Sequence, residues 1–211
     1  MKHIIKQEEP QAFTNWKVGR GGNAEKTYKG LNRNHNIKDN LRDSLLQEQG
    51  YICCYCEKEL KSNDRHIEHF KPKHKFPQLQ LEYENLFCSC QVNLINGEPL
   101  HCGNSKGNFF DERFLISPLE PNCESRFKYT FDGQIFPADE NDIGAKITII
   151  ELNLDELENL RKGAIEPFLN LDDEMSEEEL SLFISSYLKD KADNEGKFNE
   201  FYTTIKYLFL K

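Results

Sequence analysis

The sequence predicts an α+β fold: a small cysteine-framed core, an N-terminal helical arm and a mainly helical C-terminal region. Three observations carry this. Six of the seven cysteines and four of the six histidines lie between Tyr51 and Phe109, with short β-like runs among them. A helical pattern that ends on glycine precedes this stretch. A hairpin signal follows it, and helical periodicities then run to the end of the chain. The expected division is a basic arm and helix over 1–50, the metal-framed core over 51–112, and a hairpin with helices over 113–211.

In the arm, residues 1–16 read as an extended lead-in anchored by Ile4, Ile5, Phe13 and Trp16. Residues 17–36 mix Gly19, Gly21, Gly22 and Gly30 with Lys17, Arg20, Lys26, Lys29 and Arg33, the composition of a basic loop. Over 38–49 a helix puts Leu41, Leu45 and Leu46 on one face, and Gly50 is its natural stop.

After the core, Phe109, Phe110, Phe114, Leu115 and Ile116 are candidates for burial. Residues 127–131 alternate like a strand, Asp132-Gly133 is a hairpin-turn dipeptide, and 134–136 suit the return strand. Ile147 to Ile150 is β-rich and fits either a strand or the start of a helix. Leu154, Leu157, Leu160 and Ala164 form a helical face that ends near Pro167. Ser176 with Glu179 makes a capping box before Leu180, Phe183, Ile184 and Tyr187. The last helix is expected to carry Phe198, Phe201, Tyr202, Ile205, Leu208 and Phe209, and these aromatic faces read as packing surfaces.

Charge is unevenly spread. The net charge is −9, yet residues 139–211 alone hold 18 acidic and 8 basic side chains. Residues 1–75 hold 15 basic and 10 acidic, so a phosphate-facing surface belongs on the N-terminal half. No apolar run reaches the ~18 residues of a membrane span, and Met1 to Lys6 is too short and polar for a signal peptide. The expected location is the cytoplasm, where clustered thiols bind metal rather than pair as disulfides.

Cys53-x-x-Cys56 has the spacing of a zinc knuckle. The second ligand pair comes from Cys88, Cys90, His101 and Cys102. Cys90 and Cys102 are favoured, because Cys88-Ser89-Cys90 is too tight for the usual two-residue chelate loop. Cys88 remains the alternative to Cys90, and Cys54 reads as apolar filler. Thiolate ligands in a reducing compartment select Zn²⁺.

A zinc ion saturated by four protein ligands offers no open position, so chemistry must come from the residues it frames. In an extended segment His66 and Glu68 share one face and His69 takes the other. Glu68 can hold a hard divalent ion, Mg²⁺ or Mn²⁺. His69 can deprotonate water as a general base near neutral pH. The two tools suit phosphodiester hydrolysis, in which charge builds on the phosphate oxygens. Asn85 can fix the intervening loop or orient the imidazole, and Asn104 can supply a second ion ligand. Lys106, Lys71 and Lys73 are candidates for phosphate contacts. His66 and His74 read as surface or supporting histidines.

Cys53-x-x-Cys56, Glu68-His69, Asn85-Leu86, Cys90 and Cys102-x-x-x-Lys106 together resemble the zinc-framed HNH nucleases. That resemblance covers about 60 residues and implies a ββα-metal catalytic unit. It assigns the general base to His69, the strand carboxylate to Glu68 and the loop asparagine to Asn85. A narrower likeness spans most of the chain. It runs through Gln49-Gly50-Tyr51-Ile52-Cys53, Ile67-Glu68-His69-Phe70-x-Pro72, His101-Cys102-Gly103-x-x-Lys106-Gly107 and Leu152-Asn153-Leu154. These segments look like the PtuB-like HNH subunits of Septu anti-phage systems, also found beside some retrons. The likeness implies DNA as target and a PtuA-like ABC-type ATPase as partner in a hetero-oligomeric complex. Two departures stand out. Glu68 occupies a position more often Asp, and Gly103 follows the last zinc cysteine where the pattern usually has Asn or His. Asn104 is one residue late, with His101 and Asn108 as competitors for its role.

Two other readings use the same residues: a zinc-stabilised adaptor that binds a partner protein without catalysis, and an HNH nuclease directed at RNA.

Overall fold

A computed structural model describes residues 1–19, 26–169 and 176–210. Arg20, Gly21 and Gly22 of the expected basic loop lie outside the described residues. The fold is α+β: helices surround two small antiparallel β pairs and a cluster of four cysteines.

The arm is more helical than its sequence suggests. Residues 1–10 are extended, with Ile4 buried and Ile5 65% exposed, as alternation in an extended segment requires. Helix α1 (Gln11–Val18) then starts after Pro10 and buries Phe13, whose ring stacks on Trp16 at 6.0 Å. The expected lead-in to residue 16 therefore ends early. A short helix α2 (Tyr28–Leu31) stands inside the expected loop, with the Thr27 hydroxyl accepting the Gly30 N–H. Helix α3 (His35–Glu48) begins three residues before the apolar pattern does, because the Asn34 side chain caps it by accepting the Ile37 N–H. It buries Leu41, Leu45 and Leu46. Gly50, at φ +62°, turns the chain away.

Strand β1 (His66–His69) pairs antiparallel with β2 (Leu86–Ser89), setting Glu68 opposite Phe87 and His69 opposite Leu86. Helix α3 packs on β2, and the five-residue helix α4 (Cys102–Lys106) completes a ββα unit. Strands β3 (Phe127–Tyr129) and β4 (Ile135–Pro137) form the hairpin, whose turn needs Gly133 at φ +92°. A Cβ there would stand 2.3 Å from the Glu158 carbonyl oxygen.

The β-rich run at 147–150 lies in helix α5 (Ile143–Glu151). Asp142 decides the choice between strand and helix by accepting the Ala145 N–H as an N-cap. Leu154 and Leu157 are buried in a tight turn just before α6 (Glu158–Leu169). The buried face of α6 is Arg161, Ile165 and Phe168, while Leu160 is exposed and Pro167 sits inside the last turn. Thus the expected face begins one element early. Helix α7 (Glu177–Tyr187) opens on the Ser176–Glu179 capping box. Helix α8 (Tyr202–Phe209) starts later than expected: Phe201, at φ +53°, precedes it and Phe198 lies outside.

One apolar core joins residues from Met1 to Leu157, uniting the arm, the ββα unit and the hairpin. A smaller cluster around Phe168, Ile184 and Ile205 holds α6, α7 and α8 together. Helix α8 docks on the cysteine knuckle, since Glu57 accepts the Thr203 N–H at 2.7 Å and gives its own carbonyl to the Phe201 N–H at 3.0 Å. Among the described residues no helix is long and apolar enough to cross a membrane.

Candidate active site

The four-cysteine frame is built by two turns and one helix start. The first turn is closed by Cys53, which accepts the Glu57 N–H at 3.0 Å and donates to the Lys58 carbonyl at 2.9 Å. Cys90 follows the end of β2, and Cys102 opens α4 at φ +54°. The ligand atoms of Cys53, Cys56, Cys90 and Cys102 all lie within 4.8 Å of one another, and all four residues are buried. Four converging sulfurs of this kind fit a tetrahedral thiolate metal site. Cys54 and Cys88 are not among the four, although the Cys54 thiol interacts with Cys53. Burial pushes both thiols up, which keeps them protonated, and the Cys88 thiol points to the Arg42 carbonyl at 3.7 Å.

Against this frame stand the two polar residues at the end of β1. His69 is buried, and its Nε2 lies 3.1 Å from the Gln80 carbonyl oxygen. A carbonyl can only accept, so Nε2 carries the proton and Nδ1 keeps its lone pair. The Tyr28 ring meets the imidazole edge-on at 4.4 Å. Burial pushes the His69 pKa down to about 4, so the ring is neutral at pH 7.

Glu68 is buried and fully committed on one oxygen. Its Oε1 takes Lys106 Nζ at 2.9 Å and the Tyr55 hydroxyl at 3.3 Å. The other oxygen, Oε2, stands 3.8 Å from His66 Nε2. Burial alone would raise the carboxyl pKa. His66 and Lys106 outweigh it and hold the group below the usual range, so the carboxylate is charged. Gly103 faces this oxygen across the gap between α4 and β1.

Asn85 is a clamp. It accepts the Lys71 N–H at 2.7 Å and donates to the Lys71 and Leu79 carbonyls at 3.0 and 3.1 Å, while its own carbonyl takes the Phe70 N–H. The loop that presents Gln80 to His69 is thereby tied to the strand pair.

Asn104, Lys106, His101 and Asn108 are placed as follows. Asn104 donates to the Gln91 carbonyl, because α4 turns Gly103 and Lys106, three residues apart, toward β1 instead. Lys106 is 1% exposed along its side chain and also donates to the His69 and Phe70 carbonyls, so it serves Glu68 and not a phosphate in solvent. His101, a competitor for the third position, places Nδ1 3.3 Å from Cys102 Sγ, on the cysteine frame. Asn108 is exposed beyond the end of α4. The Lys71 and Lys73 ammonium groups lie 5.2 and 5.0 Å from the ring centres of Phe110 and Tyr28, and Lys71 also pairs with Glu112 at 3.6 Å.

No family model matches the chain. Named relatives do. A predicted HNH endonuclease of retron Vc95 from Vibrio cholerae is 33% identical over 62% of this chain and 65% of its own length. The Septu protein PtuB of Bacillus thuringiensis is 27% identical over 58% of this chain and 44% of its own. A predicted HNH endonuclease of retron Ec83 from Escherichia coli is 24% identical over 81% of each. These likenesses support an HNH endonuclease of the PtuB and retron type. The matches to the first two relatives span less than two thirds of their lengths.

Several residues that contact Glu68, His69 or the cysteine frame lie outside the motif. Gln80 and Tyr28 hold His69 from a loop and from the arm. Ser89 links the cysteine frame to α4: its hydroxyl is 3.6 Å from Cys53 Sγ and accepts the Gly103 N–H at 3.3 Å. Tyr55, inside the knuckle, reaches Glu68. Strand pairing could have flagged Ser89, which sits opposite His66. Nothing local in the sequence marks Gln80 or Tyr28.

Proposed function

We propose that the chain is a metal-dependent HNH endonuclease that hydrolyses DNA phosphodiester bonds in anti-phage defence, alongside a PtuA-like ABC-type ATPase. The observation that carries the reading is the pairing of a neutral His69 with a charged Glu68 at the end of one strand, framed by four thiols. The names of the retron and Septu relatives support the biological setting. Four buried free thiols support zinc as the framing ion and a reducing, cytoplasmic setting.

His69 Nδ1 would take the proton of the attacking water while the Gln80 carbonyl fixes the ring. A divalent ion such as Mg²⁺ or Mn²⁺, bound at Glu68, would neutralise charge on the phosphate and leaving oxygens. Lys106 and Tyr55 orient the carboxylate, and Asn85 keeps the loop that carries Gln80 in register. Lys71 and Lys73 would meet neighbouring phosphates as point charges.

The test offers the zinc-loaded chain plasmid DNA and RNA of the same sequence, with Mg²⁺ or Mn²⁺, with and without the ATPase. Cleavage of the plasmid is expected. Cleavage of RNA alone would make the chain an RNA nuclease, and no cleavage of either in the full complex would favour the adaptor reading.

A further inference from the structure

The sequence marks His66 as a surface or supporting histidine, and the structure sets it beside Glu68. As residues i and i+2 of β1, His66 and Glu68 project from the same face. Glu68 Oε1 is taken up by Lys106 and Tyr55, so Oε2 is the oxygen left for a ligand. Its neighbour is His66 Nε2 at 3.8 Å, beyond the ~3.2 Å reach of a hydrogen bond. Two metal–ligand bonds of about 2.1 Å each can bridge such a separation. The other ring nitrogen, His66 Nδ1, is buried with no hydrogen-bond partner among the described residues, so Nε2 is the nitrogen turned to the gap.

The third wall is Gly103. A Cβ at this position would lie 2.7 Å from Glu68 Oε2 and 3.2 Å from His66 Nε2. Any larger residue would intrude on the space between the two donor atoms. Gly103 is not at a positive φ, so backbone conformation does not explain the glycine, whereas the close approach of α4 to the Glu68 and His66 donor atoms does. The residue one place later, Asn104, is tied to Gln91.

We propose that His66 Nε2 and Glu68 Oε2 are the ligand pair of the catalytic divalent ion, with Gly103 keeping their shared space open. The proposal rests on the nuclease reading and refines its metal site. An imidazole ligand beside a carboxylate suits a borderline transition ion better than Mg²⁺, which demands hard oxygen ligands. The site therefore takes a first-row transition ion in preference to Mg²⁺, and Mn²⁺, the weakest-binding of that series, serves as its paramagnetic probe.

The test uses the full zinc-loaded chain and Mn²⁺ as probe, with affinity read from the free-ion electron paramagnetic resonance signal. Wild type should bind Mn²⁺ at least tenfold more tightly than Mg²⁺ displaces it. His66→Gln should weaken Mn²⁺ binding by roughly tenfold or more, Gly103→Ala should weaken it also, and Asn104→Ala should leave it unchanged. Electron spin echo modulation supplies a readout independent of cleavage. ¹⁴N modulation from a bound imidazole should appear in wild type and in His69→Ala, and vanish in His66→Gln. Absence of nitrogen modulation in folded wild type, or unaltered Mn²⁺ affinity in His66→Gln, would overturn the proposal. Nitrogen-coordinated Mn²⁺ in a protein that cuts no nucleic acid would uphold the ligand pair and sink the nuclease reading instead.

Discussion

His69 and Lys106 show how one environment sets two side chains to different tasks. Burial keeps the His69 imidazole neutral, so it can accept a proton at pH 7 without first losing one. Its ring resonances should titrate near pH 4, well below the ~6.5 of a free histidine. The same shift ties stability to pH. The unfolded chain takes up this proton as pH falls through about 6.5, while the folded chain resists until about 4, so the fold loses stability across that window. An NMR titration of the zinc-loaded chain checks it, and a midpoint near 6.5 would contradict the burial. Lys106 lies against the Glu68 carboxylate in the same interior. Lys106→Met leaves a buried charge with one partner fewer and should cost about 3–5 kcal/mol, read by chemical denaturation. Had Lys106 been a phosphate contact on the surface, the loss would be within ~0.5 kcal/mol. The sequence alone could not tell these roles apart, because Lys106 follows the same motif spacing in either case. Glu68 and His69 were legible as neighbours in an ordered motif. Gln80 and Tyr28 were not, since their contacts to His69 come from segments 11 and 41 residues away with no pattern of their own.

At the scale of elements, legibility followed local chemistry. Gly50, Asp132-Gly133 and the Ser176–Glu179 box each carry a stop, a turn or a cap within four residues, and each was readable. Helices α1, α2 and α5 were missed or left open because a single cap or packing contact decides them: Pro10 before α1, the Thr27 hydroxyl, and Asp142 against a β-rich run. The ββα unit depends on more than its hydrogen bonds. Strands β1 and β2 have four residues each, and α4 has five, too few to be stable alone. The four thiols tie the knuckle, the end of β2 and the start of α4 together. One zinc ion per chain is expected. Its removal by chelator, or Cys53→Ser, should abolish amide-exchange protection across β1, β2 and α4, since structural zinc binding contributes on the order of 10 kcal/mol. Full protection in zinc-free protein would show that the apolar core alone holds the site.

Across the whole molecule, charge is unevenly spread along the chain while packing joins its ends, since α8 docks on the cysteine knuckle. The ββα unit and the arm share the large core, and the excess basic charge of residues 1–75 lies with them. The acidic excess lies in residues 139–211, whose helices α6 to α8 build their own small cluster. A polyanion should therefore meet the face that carries Lys71, Lys73 and His69 and be repelled by the C-terminal end. On the proposed function, this face performs hydrolysis with His69 as base. The most direct measurement is single-turnover plasmid cleavage with Mn²⁺, wild type against His69→Ala, at matched zinc content and in the presence of the ATPase partner. Loss of a general base predicts a fall of about 10²–10⁴-fold in rate with zinc and fold intact. Equal rates in the two proteins would contradict the account.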